Sequence, residues 1–182
     1  MKYIENYLKE ESQTLSSLNY NDIMSVAEII KHCKLSNGVI YTIGNGGSAS
    51  TATHLCNDLV KKGINSICLS DNISVLTAIG NDISFDDIFS FQVKNYMNKN
   101  DALFAFSTSG ESKNICKALE TAGEISSKTV SITGFQGGHS KFLAKHNINV
   151  ESNDIQIIED IHLCISHILA CKAKALLLTC EN

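Results

Sequence analysis

The sequence predicts an α/β protein, a three-layer sandwich with helices on both faces of a parallel sheet. Two observations predict it. Short, continuously apolar runs rich in β-branched residues recur along the chain, and helical stretches separate most of them at very roughly 30-residue spacing. Strands that are apolar along their whole length, rather than alternating, belong to a sheet buried on both faces.

The chain opens with two helical segments, covering residues 1–34 ahead of an α/β unit at 35–182. The first places Ile4, Tyr7, Leu8 and Leu15 on one face. The second, with Asn21 read as its cap, repeats Ile23, Val26, Ala27 and Ile30 at i, i+3, i+4 and i+7. Such a pair either packs against another subunit or covers a sheet edge. At Gly38 the pattern changes to Val39–Ile43, a strand that ends in a glycine cluster, and a helix follows from near Ala49. Further strands are predicted at Ser66–Leu69, Ala102–Phe106, Thr129–Ile132 and Ile148–Val150, and a long final helix runs from about Ile155 to Leu178. No proline, low-complexity segment or repeat divides the chain.

Composition excludes several classes of function. The 182 residues carry a net charge of −4, with the cations scattered and none of them Arg, so no basic face for nucleic acid is expected. Without Arg, a bound phosphate must be held by backbone N–H groups, hydroxyls and Lys rather than by a bidentate guanidinium. The seven cysteines form no C-x-x-C pair and read as thiols of a reducing cytoplasm. Residues Met1 to Glu10 are charged, unlike a signal peptide, and no apolar run near the end matches a membrane span.

Ligands of parallel sheets bind beyond the carboxyl ends of strands. Two strands here end in unusual loops. Gly44-Asn45-Gly46-Gly47-Ser48 lets backbone approach a ligand and leads into a helix N-terminus with free N–H groups. Ser107-Thr108-Ser109-Gly110-Glu111-Ser112 offers four hydroxyls at another helix start, a set suited to phosphate oxygens. The first loop lacks the Lys-Ser/Thr of a Walker A motif. It does fit a relaxed G-x-G-x-x-A dinucleotide pattern with Asp71 downstream, but that pattern leaves the second loop unexplained.

The two loops, the intervening Gly80-Asn81-Asp82 and a late H-x4-H pair at His162 and His167 together resemble the phosphoheptose isomerase branch of SIS-domain proteins, over essentially the whole chain. The resemblance implies a five-stranded parallel sheet and a homotetramer with active sites at subunit junctions. It implies a cytoplasmic enzyme that interconverts sedoheptulose 7-phosphate and an aldoheptose phosphate for surface polysaccharide. It further implies that Ser107, Thr108, Ser109 and Ser112 hold the phosphate, and that Asn45, Gly46, Gly47, Ser48, Asn81, Asp82 and Glu159 bind substrate. Lys62 stands where the family often has Arg. The alternatives are an isomerase of another sugar phosphate, or a non-catalytic sugar-phosphate sensor or protein-binding module on the same scaffold.

Interconverting an aldose and a ketose needs a base beside the carbonyl and a group that manages the enediol oxygens. His54 and Asp58, at i and i+4 on the helix after the first loop, share a face. By resemblance, His54, Asp58, Glu159 and His167 match a zinc site, and Asp58 with His167 match the acid/base pair. Asp58 replaces the family's usual Glu, and Glu159 its usual Gln; two imidazoles and two carboxylates still suit Zn²⁺. Glu159 and His167, eight residues apart, lie about 12 Å apart along a helix axis. Either they come from different subunits of one site, or one of them does not bind the metal directly. His162 lies about 140° around the axis from His167 and is read as approaching a neighbouring subunit's ligand. His32, His139 and His146 are assigned to surface or capping roles.

Overall fold

Five parallel strands form one sheet in the computed structural model, which describes residues 1–179; Cys180, the seventh cysteine, lies outside them. The strands are β1 (Ile40–Gly44), β2 (Ser66–Cys68), β3 (Ala102–Ser107), β4 (Thr129–Gly134) and β5 (His146–Val150), in the order β2-β1-β3-β4-β5. Every neighbouring pair is parallel, and the β1–β3 register runs from Ile40 opposite Ala102 to Gly44 opposite Phe106. The chain winds outward from β1 in both directions, so β1 and β3 flank the point where the strand order reverses. That crevice is where open parallel sheets bind ligands.

Two helical layers cover the sheet. One contains α2 (Tyr20–Leu35), α3 (Gly47–Lys61) and α8 (Ile155–Leu178), whose Ile30, Leu55, Leu59, Ile161 and Ile165 pack on Ile40, Phe104 and Ile132. The other contains α4 (Ile73–Asp82), a 3-10 turn (Phe85–Asp87), α5 (Ser90–Tyr96), α6 (Lys113–Ile125) and α7 (Ser140–Leu143), packed on Tyr41, Ile43, Leu103 and Ala105. Successive residues of a strand therefore feed opposite cores, which is why β1 and β3 are buried throughout. The three-layer expectation holds.

Local chemistry sets the ends of the helices. Asn19 caps α2, accepting from Asn21 N at 3.0 Å; Asn21, read from sequence as the cap, is inside the helix. Asp154 caps α8 through Gln156 N and Ile157 N. α1 (Lys2–Ser16) rests on α8, with the Tyr7 hydroxyl donating to Asp160 at 2.5 Å. By length and composition α8 also meets the criterion for a membrane span, with mean hydropathy 1.5 over its most apolar window, where the sequence reading saw no such run. Its apolar face here is core: Ile157, Ile158, Ile161, Ile165 and Leu169 are buried against α2, α3 and the sheet.

Candidate active site

Both predicted loops leave the two strands that flank the crevice. The first follows β1, with Gly46 as N-cap of α3 in the left-handed region (φ +54°) and no side-chain cap below it. The helix therefore begins at Gly47, two residues before the expected Ala49, and Ser48 is buried in its first turn. The second loop follows β3, and Ser112 is the N-cap residue of α6, though its hydroxyl makes no capping bond. Two helix N-termini, with their unpaired N–H groups, thus face one crevice.

The second loop is braced from behind. Ser107 Oγ accepts from Gly110 N at 3.1 Å, and Ser109 Oγ accepts from Glu111 N at 3.2 Å. Gly110 has φ +68°, and a Cβ there would lie 2.0 Å from Gly137 O, so only glycine lets this loop nest on the Gly137–Ser140 segment. Ser140 N and Oγ both donate to Gly110 O at 2.9 Å. Glu111 completes the brace, accepting from His139 N at 3.1 Å, with His139 Nδ1 3.0 Å from its other oxygen. Thr108 contributes its carbonyl to Gly134 N at 2.9 Å.

Farther along α3 lies a second cluster. His54 Nε2 and His167 Nε2 are 2.9 Å apart, and Asp58 Oδ2 is 3.8 Å from the first and 4.0 Å from the second. All three ligand atoms lie within 4.8 Å of one another. The donors of a tetrahedral zinc site with bonds of 2.0–2.1 Å sit about 3.3 Å apart. The observed separations bracket that value, so the three residues fit a divalent ion with one position left open. α3 and α8 create the cluster by packing side by side, since His167 is 113 residues from His54.

Glu159 stands outside this cluster. Its carboxylate lies against Gly47, where a Cβ would come within 2.5 Å of both oxygens, so the glycine makes room for it at the first loop. The distance along α8 anticipated from sequence thus separates Glu159 from His167 within one chain. His162 departs from expectation outright. It is fully buried in this protomer, 6.0 Å ring to ring from Phe106, and so faces the sheet rather than a neighbour's ligand. Among the described residues neither ring nitrogen has a hydrogen-bond partner of good geometry, and burial pushes its pKa down to about 4, opposed by a weaker contact with the backbone of Thr133.

Asn81 and Asp82 end α4, joined by a 2.8 Å bond from Asn81 Nδ2 to Asp82 Oδ1. Asp82 lines an apolar groove with Val75, Ile79, Phe91 and Tyr96, a groove that contains no residue of either loop. Lys62 caps the far end of α3, opposite the loops. Three residues of the loop architecture were not singled out for it from sequence: Asn114, which bonds Asn45, and the Glu111–His139 brace. A polar residue in the first turn after a hydroxyl-rich loop is a signal too common to select Asn114.

The SIS domain family model matches residues 2–134. A probable phosphoheptose isomerase of Thermoplasma acidophilum is 34% identical over 171 residues, covering 91% of this chain and 94% of that one. Phosphoheptose isomerase of Helicobacter pylori (strain Shi470) is 41% identical over 163 residues, 86% and 84% of the two chains. The solved phosphoheptose isomerase of Neisseria gonorrhoeae superposes with a TM-score of 0.89 at 28% identity, covering 96% of this chain and 98% of that one. The SIS domain together with these relatives defines the class, a sugar-phosphate isomerase. Within that class, the chain belongs to the phosphoheptose isomerase family.

Proposed function

We propose that the protein converts sedoheptulose 7-phosphate to D-glycero-D-manno-heptose 7-phosphate, in the cytoplasm, supplying heptose for lipopolysaccharide or capsule. The observation that carries this reading is the convergence of His54 and Asp58, on the helix that leaves the first loop, with His167 of α8. A non-catalytic module has no need of two imidazoles and a carboxylate at that place.

The phosphate sits on Ser107, Thr108, Ser109 and Ser112 with the first-turn amides of α6, which replace the missing arginine clamp. Gly46, Gly47, Ser48 and Asn45 line the sugar together with Glu159, whose carboxylate lies against Gly47 of its own chain, and Asn81 and Asp82 join them across a junction between copies. His54 lies seven residues into α3, about 10 Å from the first loop at its start, and the junction between copies rests on the family resemblance. We read the assembly as a homotetramer with interfacial sites.

In the reaction, Asp58 takes the proton from C1 beside the carbonyl and returns it to C2. His167 moves a proton between the two oxygens of the enediol. His54, Asp58 and His167 would hold a zinc ion, and Glu159, at Gly47 of the same chain, would stay outside its ligand set. A bound divalent ion supplies Lewis-acid polarisation of the substrate oxygens.

The test is turnover of sedoheptulose 7-phosphate by metal-analysed protein, with the product identified by NMR. An aldoheptose phosphate is the expected product. Asp58→Asn and His167→Ala should each lower kcat by about 10²-fold or more with unchanged circular dichroism. Near-normal turnover by either variant overturns the acid/base assignment, and an inactive wild type overturns the substrate.

A further inference from the structure

The two ligand loops are stitched together by a reciprocal amide pair. Asn45 Nδ2 donates to Asn114 Oδ1 at 2.9 Å, and Asn114 Nδ2 donates back to Asn45 Oδ1 at 2.9 Å. Asn45 is the first residue beyond β1, and Asn114 lies in the first turn of α6. The helices these residues serve, α3 and α6, lie on opposite faces of the sheet. The pair therefore crosses the crevice between β1 and β3 where the substrate is proposed to lie. Asn114 is only 2% exposed, and its Oδ1 also accepts from Ile115 N at 3.0 Å, which fixes its amide orientation.

Each amide gives one donor and takes one acceptor, so turning either side chain over would set oxygen against oxygen and nitrogen against nitrogen. The bonds leave Asn45 with one N–H and one oxygen lone pair, both held in a direction set by Asn114. We propose that Asn114 is a positioning residue: it locks the amide of Asn45 toward the sugar and holds the first loop in register with the phosphate loop. This rests on the isomerase reading for the identity of the ligand, while the link between the loops does not depend on it.

The experiment is a double-mutant cycle on Asn45→Ala and Asn114→Leu, with calorimetric affinities for two probes, sedoheptulose 7-phosphate and inorganic phosphate. Asn114→Leu keeps the approximate size of the side chain and adds no charge beside the phosphate loop, but removes the N–H that orients Asn45. Circular dichroism and melting show that each variant is folded; Asn114→Ser serves if the Leu variant is not. Expected is a loss of at least fivefold in affinity for the sugar phosphate, with phosphate affinity within twofold of wild type. The double variant should be no weaker than the weaker single one.

Single effects that multiply, or parallel loss of both probes, overturn the inference, because either result describes two independent sites or a general loosening of the fold. Wild-type turnover is scored separately. An active wild type with multiplicative effects removes the pair and leaves the isomerase standing. An inactive wild type whose probe affinities respond as described removes the isomerase and leaves the pair. A wild type that binds neither probe removes both.

Discussion

His162 is the side chain whose environment conflicts most with its chemistry. A buried polar group without a hydrogen bond costs about 1–3 kcal/mol, and both ring nitrogens of this imidazole are in that position. With a pKa lowered from 6.5 to about 4, the folded protein keeps the ring neutral while the unfolded chain protonates it. The unfolded state then binds more protons, so stability is complete above pH 6.5 and falls as pH drops toward 4. The loss reaches about 3 kcal/mol. Urea unfolding between pH 7 and pH 4 should show His162→Leu to be less pH-dependent than wild type across that window. Equal pH dependence in the two proteins would show that His162 does not titrate this way.

At the scale of elements, the two loops are bracketed turns rather than free ones. The loop after β3 nests on the Gly137–Ser140 segment through Gly110, and the Glu111–His139 contact closes it from outside. Gly110→Ala adds a Cβ 2.0 Å from Gly137 O at a positive φ. We expect it to lose about 1–3 kcal/mol of stability and to raise KM for the sugar phosphate by about tenfold. That is near 1.4 kcal/mol of binding. Ser109→Ala, which removes an exposed hydroxyl and its 3.2 Å bond from Glu111 N, should raise KM with a smaller loss of stability than Gly110→Ala. Denaturation and steady-state kinetics on the two variants separate the architecture of the loop from its contact with ligand. Equal stability losses would mean that the Ser109 bond carries as much of the brace as Gly110 does.

At the scale of the molecule, much apolar surface is left unpaired in a single chain. On α1, Tyr3, Ile4 and Leu8 are exposed, the last two by 59% and 58%. A groove of about 450 Å³ between α1, α2 and α8 is lined by Leu15, Leu18, Ile23, Met24 and Ile168. The apolar groove beside Asp82, about 480 Å³, is also open. Patches of this kind mark interfaces, and the tetramer proposed above would cover them. Ile4→Glu with Leu8→Glu should reduce the mass seen by light scattering and lower turnover by at least tenfold, since the proposed site needs a neighbour. A wild type that is monomeric at micromolar concentration would remove the assembly and the interfacial site together.

The layered fold was legible in the chain because burial on both faces leaves an unbroken apolar run, a signal carried by each strand alone. The position of both loops was legible for a similar reason: glycine and hydroxyl residues between a strand and a helix are local chemistry. Strand and helix ends moved by one or two residues, as with Gly47 for Ala49, because termini are set by hydrogen bonds that composition does not specify. Long-range partners were beyond local pattern. His54 meets His167 because α3 and α8 pack together, Glu159 goes to Gly47 instead, and His162 turns to the sheet, all from one helix. Spacing along a helix says which side chains share a face; what that face meets depends on how the helices dock, and docking minimises the energy of the whole core rather than of any one segment.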